Sequence, residues 1–420
     1  DIDMMADLGL QAYRFSIAWP RVQPLGTGDF NQEGIDFYRD IIGRLKDKGI
    51  RPLVTLYHWD LPQPLEDEGG WLSRDTVDAF VVYATRMVEE FGADVEFWTT
   101  FNEPWVSSFV GYGAGAHAPG HADDVEALVA AHHLNLAHAR AYRAMKRVND
   151  GIQIGLVNNC HTPRPWDPSN PKDRWAAAHI DALANTMFHE PFTHGTYPEV
   201  LKPNTAHLTD WSFVHEGDLA EMHGAVDWFG VNYYASHLVR HNPHKAAAAS
   251  DVATLADGHK AGANSPWPGD EEIEFMPPLG KRTAMGWNVD PSALTAHLLK
   301  IHRETGVPIY VTENGSAWDD VLEPDGRVRD EDRIDYFRGH LQAVLNAIDE
   351  GADVRGYMAW SLMDNFEWAQ GYAKRFGMVH VDYDTLVRTW KDSAYWYRET
   401  LRTREIAPAD VEVETPARTY

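Results

Sequence analysis

Phe97-Trp98-Thr99-Thr100-Phe101-Asn102-Glu103-Pro104 is a short apolar run that ends in an amide, a carboxylate and a proline. Its length and its β-branched and aromatic residues read as a strand buried on both faces, with Pro104 ending the pairing. A carboxylate at such a strand end is costly to bury unless it faces a cleft or a partner. Six further runs share this character: Ala12–Ala18, Arg51–Tyr57, Ile152–Asn159, Trp228–Tyr234, Ile309–Asn314 and Val354–Leu362. Segments of helical period separate them. Val77, Phe80, Val81, Ala84, Val88 and Phe91 recur at three- and four-residue steps, as do Ile334, Phe337, Leu341, Val344, Leu345 and Ile348.

Alternating strand and helix implies parallel pairing through right-handed crossovers, hence an α/β fold. An open doubly wound sheet and a (β/α)8 barrel both fit the pattern, and two observations favour the barrel. Gly111, Gly113 and Gly115 lie in a loop at the wrong spacing for a dinucleotide fingerprint. Polar or aromatic residues also stand at nearly every strand's C-terminal end, where a barrel builds its site: Trp19, His58, Asn102, Asn158, Tyr234, Glu313 and Trp360. Residues 1–9 have helical spacing and run straight into the first strand. We therefore expect seven of the eight barrel strands, in one catalytic domain over 1–420 that is N-terminally incomplete. Residues 237–283 have little periodicity, an Ala246–Ala249 run and many Pro, Gly and Asp residues, and read as a long loop insertion on the catalytic face.

Composition narrows the function. The 37 Lys and Arg against 63 Asp and Glu leave a net charge of −26, opposite to what neutralising nucleic-acid phosphates requires. No apolar run reaches membrane-spanning length, and no secretory leader pattern opens the chain, so the cytoplasm is the expected compartment. The single cysteine, Cys160, excludes an internal disulfide and a Cys-based zinc site. His189-Glu190-Pro191-Phe192-Thr193-His194 is one residue too long for a His-Glu-x-x-His site, and His132, His133 and His138 have no acidic ligand at metal spacing; no metal is expected. Sixteen Trp and 17 Tyr exceed what a core of this size needs, and flat rings with a polar edge suit pyranose faces.

Val311-Thr312-Glu313-Asn314-Gly315 repeats the arrangement at Glu103, a carboxylate ending an apolar strand beside an asparagine. Either glutamate alone reads equally as a loop cap or a salt-bridged residue. Two together at a sugar-shaped cleft point to glycoside hydrolysis, with retention if they stand about 5–5.5 Å apart and inversion if about 6.5–9.5 Å apart.

Six motifs, Tyr13-Arg14-Phe15-Ser16, His58-Trp59-Asp60-Leu61-Pro62, Thr99–Pro104, Trp228-Phe229-Gly230-Val231-Asn232-Tyr233-Tyr234, Val311–Gly315 and Trp360–Gly377, closely resemble glycoside hydrolase family 1, in order and over essentially the whole chain. The resemblance implies a retaining exo-β-glycosidase that acts on terminal β-D-glucosyl residues, with tolerance for galactosyl or fucosyl ones, on small β-glucosides or cello-oligosaccharides and without a cofactor. It implies Glu103 as general acid/base and Glu313 as nucleophile, supported by Arg14, Tyr234 and Asn232. His58, Trp59, Asn102, Trp360, Glu367 and Trp368 would bind the glycone. Asn102 would hold the 2-hydroxyl and Glu367 the 4- and 6-hydroxyls, over Trp360 as a floor. Glu367 also argues against phosphorylated sugars, since a carboxylate repels a phosphate dianion. Trp105, His161, Trp287 and Trp318 are candidates for the aglycone side, each equally readable as packing. The family's first strand carries a glutamine for the 3- and 4-hydroxyls that has no counterpart here. Two other readings stand beside hydrolysis: a catalytically impaired barrel fragment with weak sugar binding, and a transglycosylating β-glucosidase. Self-association is left open.

Overall fold

The computed structural model describes residues 1–245 and 264–420. Seven strands form one parallel sheet in chain order: β1 Ala12–Ser16, β2 Arg51–Tyr57, β3 Phe97–Asn102, β4 Gln153–Asn159, β5 Trp228–Tyr233, β6 Ile309–Asn314 and β7 Val354–Ala359. These are the seven runs expected from the sequence. The sheet curls into a nearly closed α/β barrel whose helices pack outside it: α1 Ile2–Leu8, α2 Gln32–Asp47, α3 Arg74–Phe91, α4 Asp124–Val148, α5 Pro171–Ala184, α6 Pro291–Thr305, α7 Glu331–Asp349 and α8 Asp392–Thr403. Both periodic segments are helices, α3 and α7, and side chains mark the starts of α3 and of the long α4. Ser73 accepts a hydrogen bond from Asp75 N before α3, and Asp123 accepts from Val125 and Glu126 N before α4. In α3 the apolar stripe Val77, Phe80, Ala84, Val88 and Phe91 is buried against the sheet.

Burial separates the inner strands from the outer pair. β2 to β6 are almost wholly buried, as continuous apolar runs require, whereas β1 and β7 are half-buried along their length. Among the described residues each of those two pairs with one neighbour, and a groove enclosing about 1500 Å³ including its open side lies between them, lined by Leu10–Arg14 and Gly356–Met363. The reading of the first and last strands as buried on both faces is thus corrected: each has one unpaired edge and is left partly uncovered there.

Two loop readings are also corrected. Gly111 and Gly113 belong to a π-helix over Val106–Gly113, in which both glycines are buried. Within 237–283, His237–His241 pairs antiparallel with Ile273–Phe275 and parallel with Pro163–Pro165, giving a small three-stranded sheet. Leu238 and Val239 are too few to signal a strand alone, and pairing across the sheet supplies the rest. The Ala246–Ala249 run lies outside the described residues.

His132, His133 and His138 are buried core residues. His132 contacts Tyr197 and Asp218, His133 the carbonyl of Trp71, and His138 both Thr100 and the carbonyl of Ala225. Among the described residues no group of three or more His, Cys, Asp or Glu is placed to hold a metal, and no helix is long and apolar enough to cross a membrane.

Candidate active site

The C-terminal ends of β2 to β7 converge on one pocket, enclosing about 840 Å³ including its open mouth. Its wall includes His58 and Trp59 after β2, Asn102 and Glu103 at the end of β3, Asn232 and Tyr234 at the end of β5, Glu313 on β6, and Trp360, Glu367 and Trp368 after β7. Residues from segments as far apart in the chain as β2 and β7 meet because parallel strands all point the same way.

Both glutamates are buried, in different company. Arg14 reaches over from β1 and donates from Nη1 to Glu313 Oε1 at 2.6 Å, while the Tyr234 hydroxyl donates to Glu313 Oε2 at 2.7 Å. The second guanidinium nitrogen, Nη2, donates to Asn102 Oδ1 at 2.6 Å. Asn102 is therefore oriented from three sides, since its Oδ1 also accepts from Asn232 Nδ2 at 3.1 Å and its Nδ2 lies 3.1 Å from His58 Nε2. Trp59 Nε1 donates to the carbonyl of Asn102 at 2.9 Å.

One expectation needs correction. Asn232, expected to support the nucleophile, donates instead to Glu103 Oε1 at 2.7 Å, with its own Oδ1 accepting from Thr312 at 2.7 Å. A register shift against β6 falls between Val231 and Asn232, beside this amide.

Burial sets the electrostatics. His58 is held neutral, its pKa lowered to about 3 by burial and by the Arg14 charge. Burial, with the charges of Glu313 and Glu103 behind it, raises the Tyr234 phenol well above its ordinary value, so it remains a donor. Asp60 is raised to about 6 by burial. Backbone strain collects here as well: Trp59, Glu103 and Trp368 have φ of 81°, 49° and 40°, in the left-handed region that side chains rarely adopt.

The aromatic candidates divide. Trp360 and Trp368 line the pocket and stack with His58 at 6.3 and 5.9 Å, and Trp59 lies 4.5 Å from Trp368. Trp287 and His161 also line it, Trp287 against Tyr234 at 5.1 Å. Trp105 does not: it stands behind His161 at 4.8 Å, drawn into a core cluster with Val106 and Phe109 by the helical turn that follows Pro104. Trp318 is also off the wall, its indole donating to Ser316 Oγ and its face covered by Lys281. Sequence reasoning missed His117, Asn159, His237, Met285, Gln370 and Phe376, all on the wall. Asn159 was findable, because it ends β4 as Asn102 ends β3. His117 and His237 come from connecting segments with no periodic signal.

The family described as Glycosyl hydrolase family 1 matches residues 1–406. Over 410 residues the chain is 44% identical to the bifunctional beta-D-glucosidase/beta-D-fucosidase of Bifidobacterium breve, covering 95% of this chain and 85% of that protein. It is 42% identical over 409 residues to Beta-glucosidase A of Thermotoga maritima, covering 96% and 84%. The solved structure of a family 1 β-glucosidase from Thermotoga maritima superposes with a TM-score of 0.88 at 40% identity, over 97% of this chain and 86% of that one.

Proposed function

The chain belongs to glycosyl hydrolase family 1 and is a β-glucosidase of that family, and we propose that it works with retention, Glu313 as nucleophile and Glu103 as acid/base. The observation that carries this reading is the unequal environment of the two carboxylates. A guanidinium and a phenol hydroxyl, Arg14 and Tyr234, occupy the two oxygens of Glu313 and align it, whereas Oε1 of Glu103 accepts from a neutral amide, Asn232.

In the first step Glu313 attacks the anomeric carbon, the bond to the leaving oxygen breaks, and the Glu103 proton passes to that oxygen. Glu103 is left a carboxylate by that transfer, and Glu313, now an ester, no longer carries a charge beside it. Glu103, now a carboxylate, takes a proton from water; the water oxygen attacks the anomeric carbon, the ester bond breaks, and β-glucose leaves with Glu313 restored. Asn102 is set to hold the 2-hydroxyl, whose contact strengthens as the oxocarbenium-like charge develops. Glu367, with His58 and the indoles of Trp59, Trp360 and Trp368, binds the rest of the glycone. Small aryl β-glucosides and short β-glucans are the proposed substrates, with fucosides tolerated.

Intact mass after incubation with an activated 2-deoxy-2-fluoro-β-glucoside tests the assignment. Fluorine slows both steps and the good leaving group lets the ester accumulate. One adduct on Glu313 is expected; an adduct elsewhere, or none on the folded protein, overturns the reading.

A further inference from the structure

We infer that Asp364, clamped by Lys391 and Arg375, is a positioning residue for glycone recognition, setting where Glu367 and Trp368 stand relative to Glu313. The inference rests on the reading of Glu367 as ligand of the sugar's 4- and 6-hydroxyls. After β7 the chain makes an excursion over residues 361–378 with Glu367 and Trp368 at its far end. Its base is closed by backbone hydrogen bonds from Ser361 N to Phe376 O and from Met378 N to Ser361 O.

Asp364 sits inside that base, buried, and its carboxylate collects four donors, two from the C-terminal end of the excursion and two from beyond it. Oδ1 accepts from Gly377 N at 3.0 Å and Lys391 Nζ at 2.8 Å; Oδ2 accepts from Arg375 Nη1 at 2.6 Å and Val381 N at 3.3 Å. A Cβ at Gly377 would stand 2.1 Å from Asp364 N, so only glycine lets the two strands of the base come this close.

The clamp continues to the nucleophile's side. Lys391, wholly buried, makes its second ion pair with Asp320 at 2.6 Å, on the segment that leaves β6 after Glu313. Arg333, equally buried, donates to Asp320 at 2.7 Å, to the carbonyl of Arg375 at 2.8 Å and to the carbonyl of Ser316 at 3.3 Å. Buried ion pairs add little net stability because desolvation offsets their attraction, so stability alone does not account for this cluster. What it provides is fixed geometry between two loops. The left-handed φ of Trp368, 40°, agrees, since a strained side chain persists only where its surroundings over-determine it.

The experiment compares kcat/KM for an aryl β-D-glucoside and its 6-deoxy analogue in the full chain, in Glu367→Ala, Asp364→Asn, Arg375→Met and Arg375→Lys. Arg375 is partly exposed, so Arg375→Met leaves Asp364 its Lys391 and backbone partners and keeps the test open if Asp364→Asn does not fold; melting curves report folding. In Asp364→Asn or Arg375→Met we expect glucoside turnover to fall by up to about 100-fold, as a misplacement of around 1 Å does, and the 6-deoxy analogue to fall less, since it keeps the 4-hydroxyl contact and loses only that part. Discrimination then collapses toward the Glu367→Ala value, and Arg375→Lys keeps most of it. Folded variants that retain full discrimination while Glu367→Ala loses it overturn the positioning role and leave Glu367 as the ligand. Full discrimination in Glu367→Ala overturns both.

Discussion

The side-chain amide of Asn232 donates to Glu103 at 2.7 Å while Asn232 itself lies opposite Glu313 in the strand register. One residue on β5 thus touches one carboxylate and is seated beside the other. Its Oδ1 is committed to Thr312, so the amide cannot turn over without losing both bonds.

Asn232→Ala should lower kcat/KM by about 10- to 100-fold, the loss of one hydrogen bond to a charged group. Steady-state kinetics on an aryl glucoside measure it, and an unchanged kcat/KM would mean that the contact is structural only.

Arg14→Met should cost more. It leaves the buried Glu313 without its ion pair and releases Asn102 together with it, so two groups of the site lose their alignment at once, and a misplacement of around 1 Å alone costs about 100-fold in rate. Arg14→Lys should recover only a minor part, because an ammonium cannot span both acceptors as the guanidinium fork does. Steady-state kinetics on one aryl glucoside check both.

Glu313→Ala should abolish turnover, with added azide restoring it as the α-glucosyl azide. Glu103→Ala should instead yield the β-glucosyl azide, formed on the ester after attack by Glu313. NMR of the isolated products decides; the opposite pattern exchanges the two roles.

Acid should unfold the protein through its histidines. Burial lowers the pKa of His58 and His297 to about 3 and of His133, His138 and His340 to about 4. Between those values and about 6.5 the unfolded chain binds more protons, so stability is full above pH 6.5 and is lost as pH falls toward 4. Asp60 and Asp124, both raised to about 6 by burial, act oppositely, as do Glu190 and Asp330, but burial also lowers His132, His179, His189 and His380, so nine histidines stand against four carboxylates. Melting curves from pH 7.5 to 4.5 should show a steady fall in Tm, and a flat profile would contradict it.

Gly315→Ala should be among the more damaging small changes near the site. An added Cβ would stand 1.7 Å from the carbonyl oxygen of Trp360, so backbone must move. Overpacking of this kind costs about 1–3 kcal/mol or more. A lower Tm together with weaker glucoside binding is expected, because Trp360 lines the pocket.

Much of this was legible locally. The seven strands, their order and the strand-end glutamates were readable because a strand buried on both faces must be apolar along its length, and that is written in consecutive residues. Trp105 and Trp318 were not separable from Trp287 on the same grounds. All three are aromatic residues in connecting segments, and the direction each indole takes depends on the turn before it and the cluster that receives it. The short sheet through His237–His241 was invisible for a related reason: most of its stabilisation comes from pairing with distant segments.

The sequence by itself determined the α/β barrel, the chemistry gathered at one end of it, and Glu103 and Glu313 as the pair of interest. Only the tertiary structure decided which groups hold which carboxylate. Arg14 and Glu313 are 299 positions apart, and Asn232 reaches Glu103 although its register partner across the sheet is Glu313. Composition and period report what a residue can bury or donate. Lateral register between strands, which has no local signature, chooses the partner that receives it.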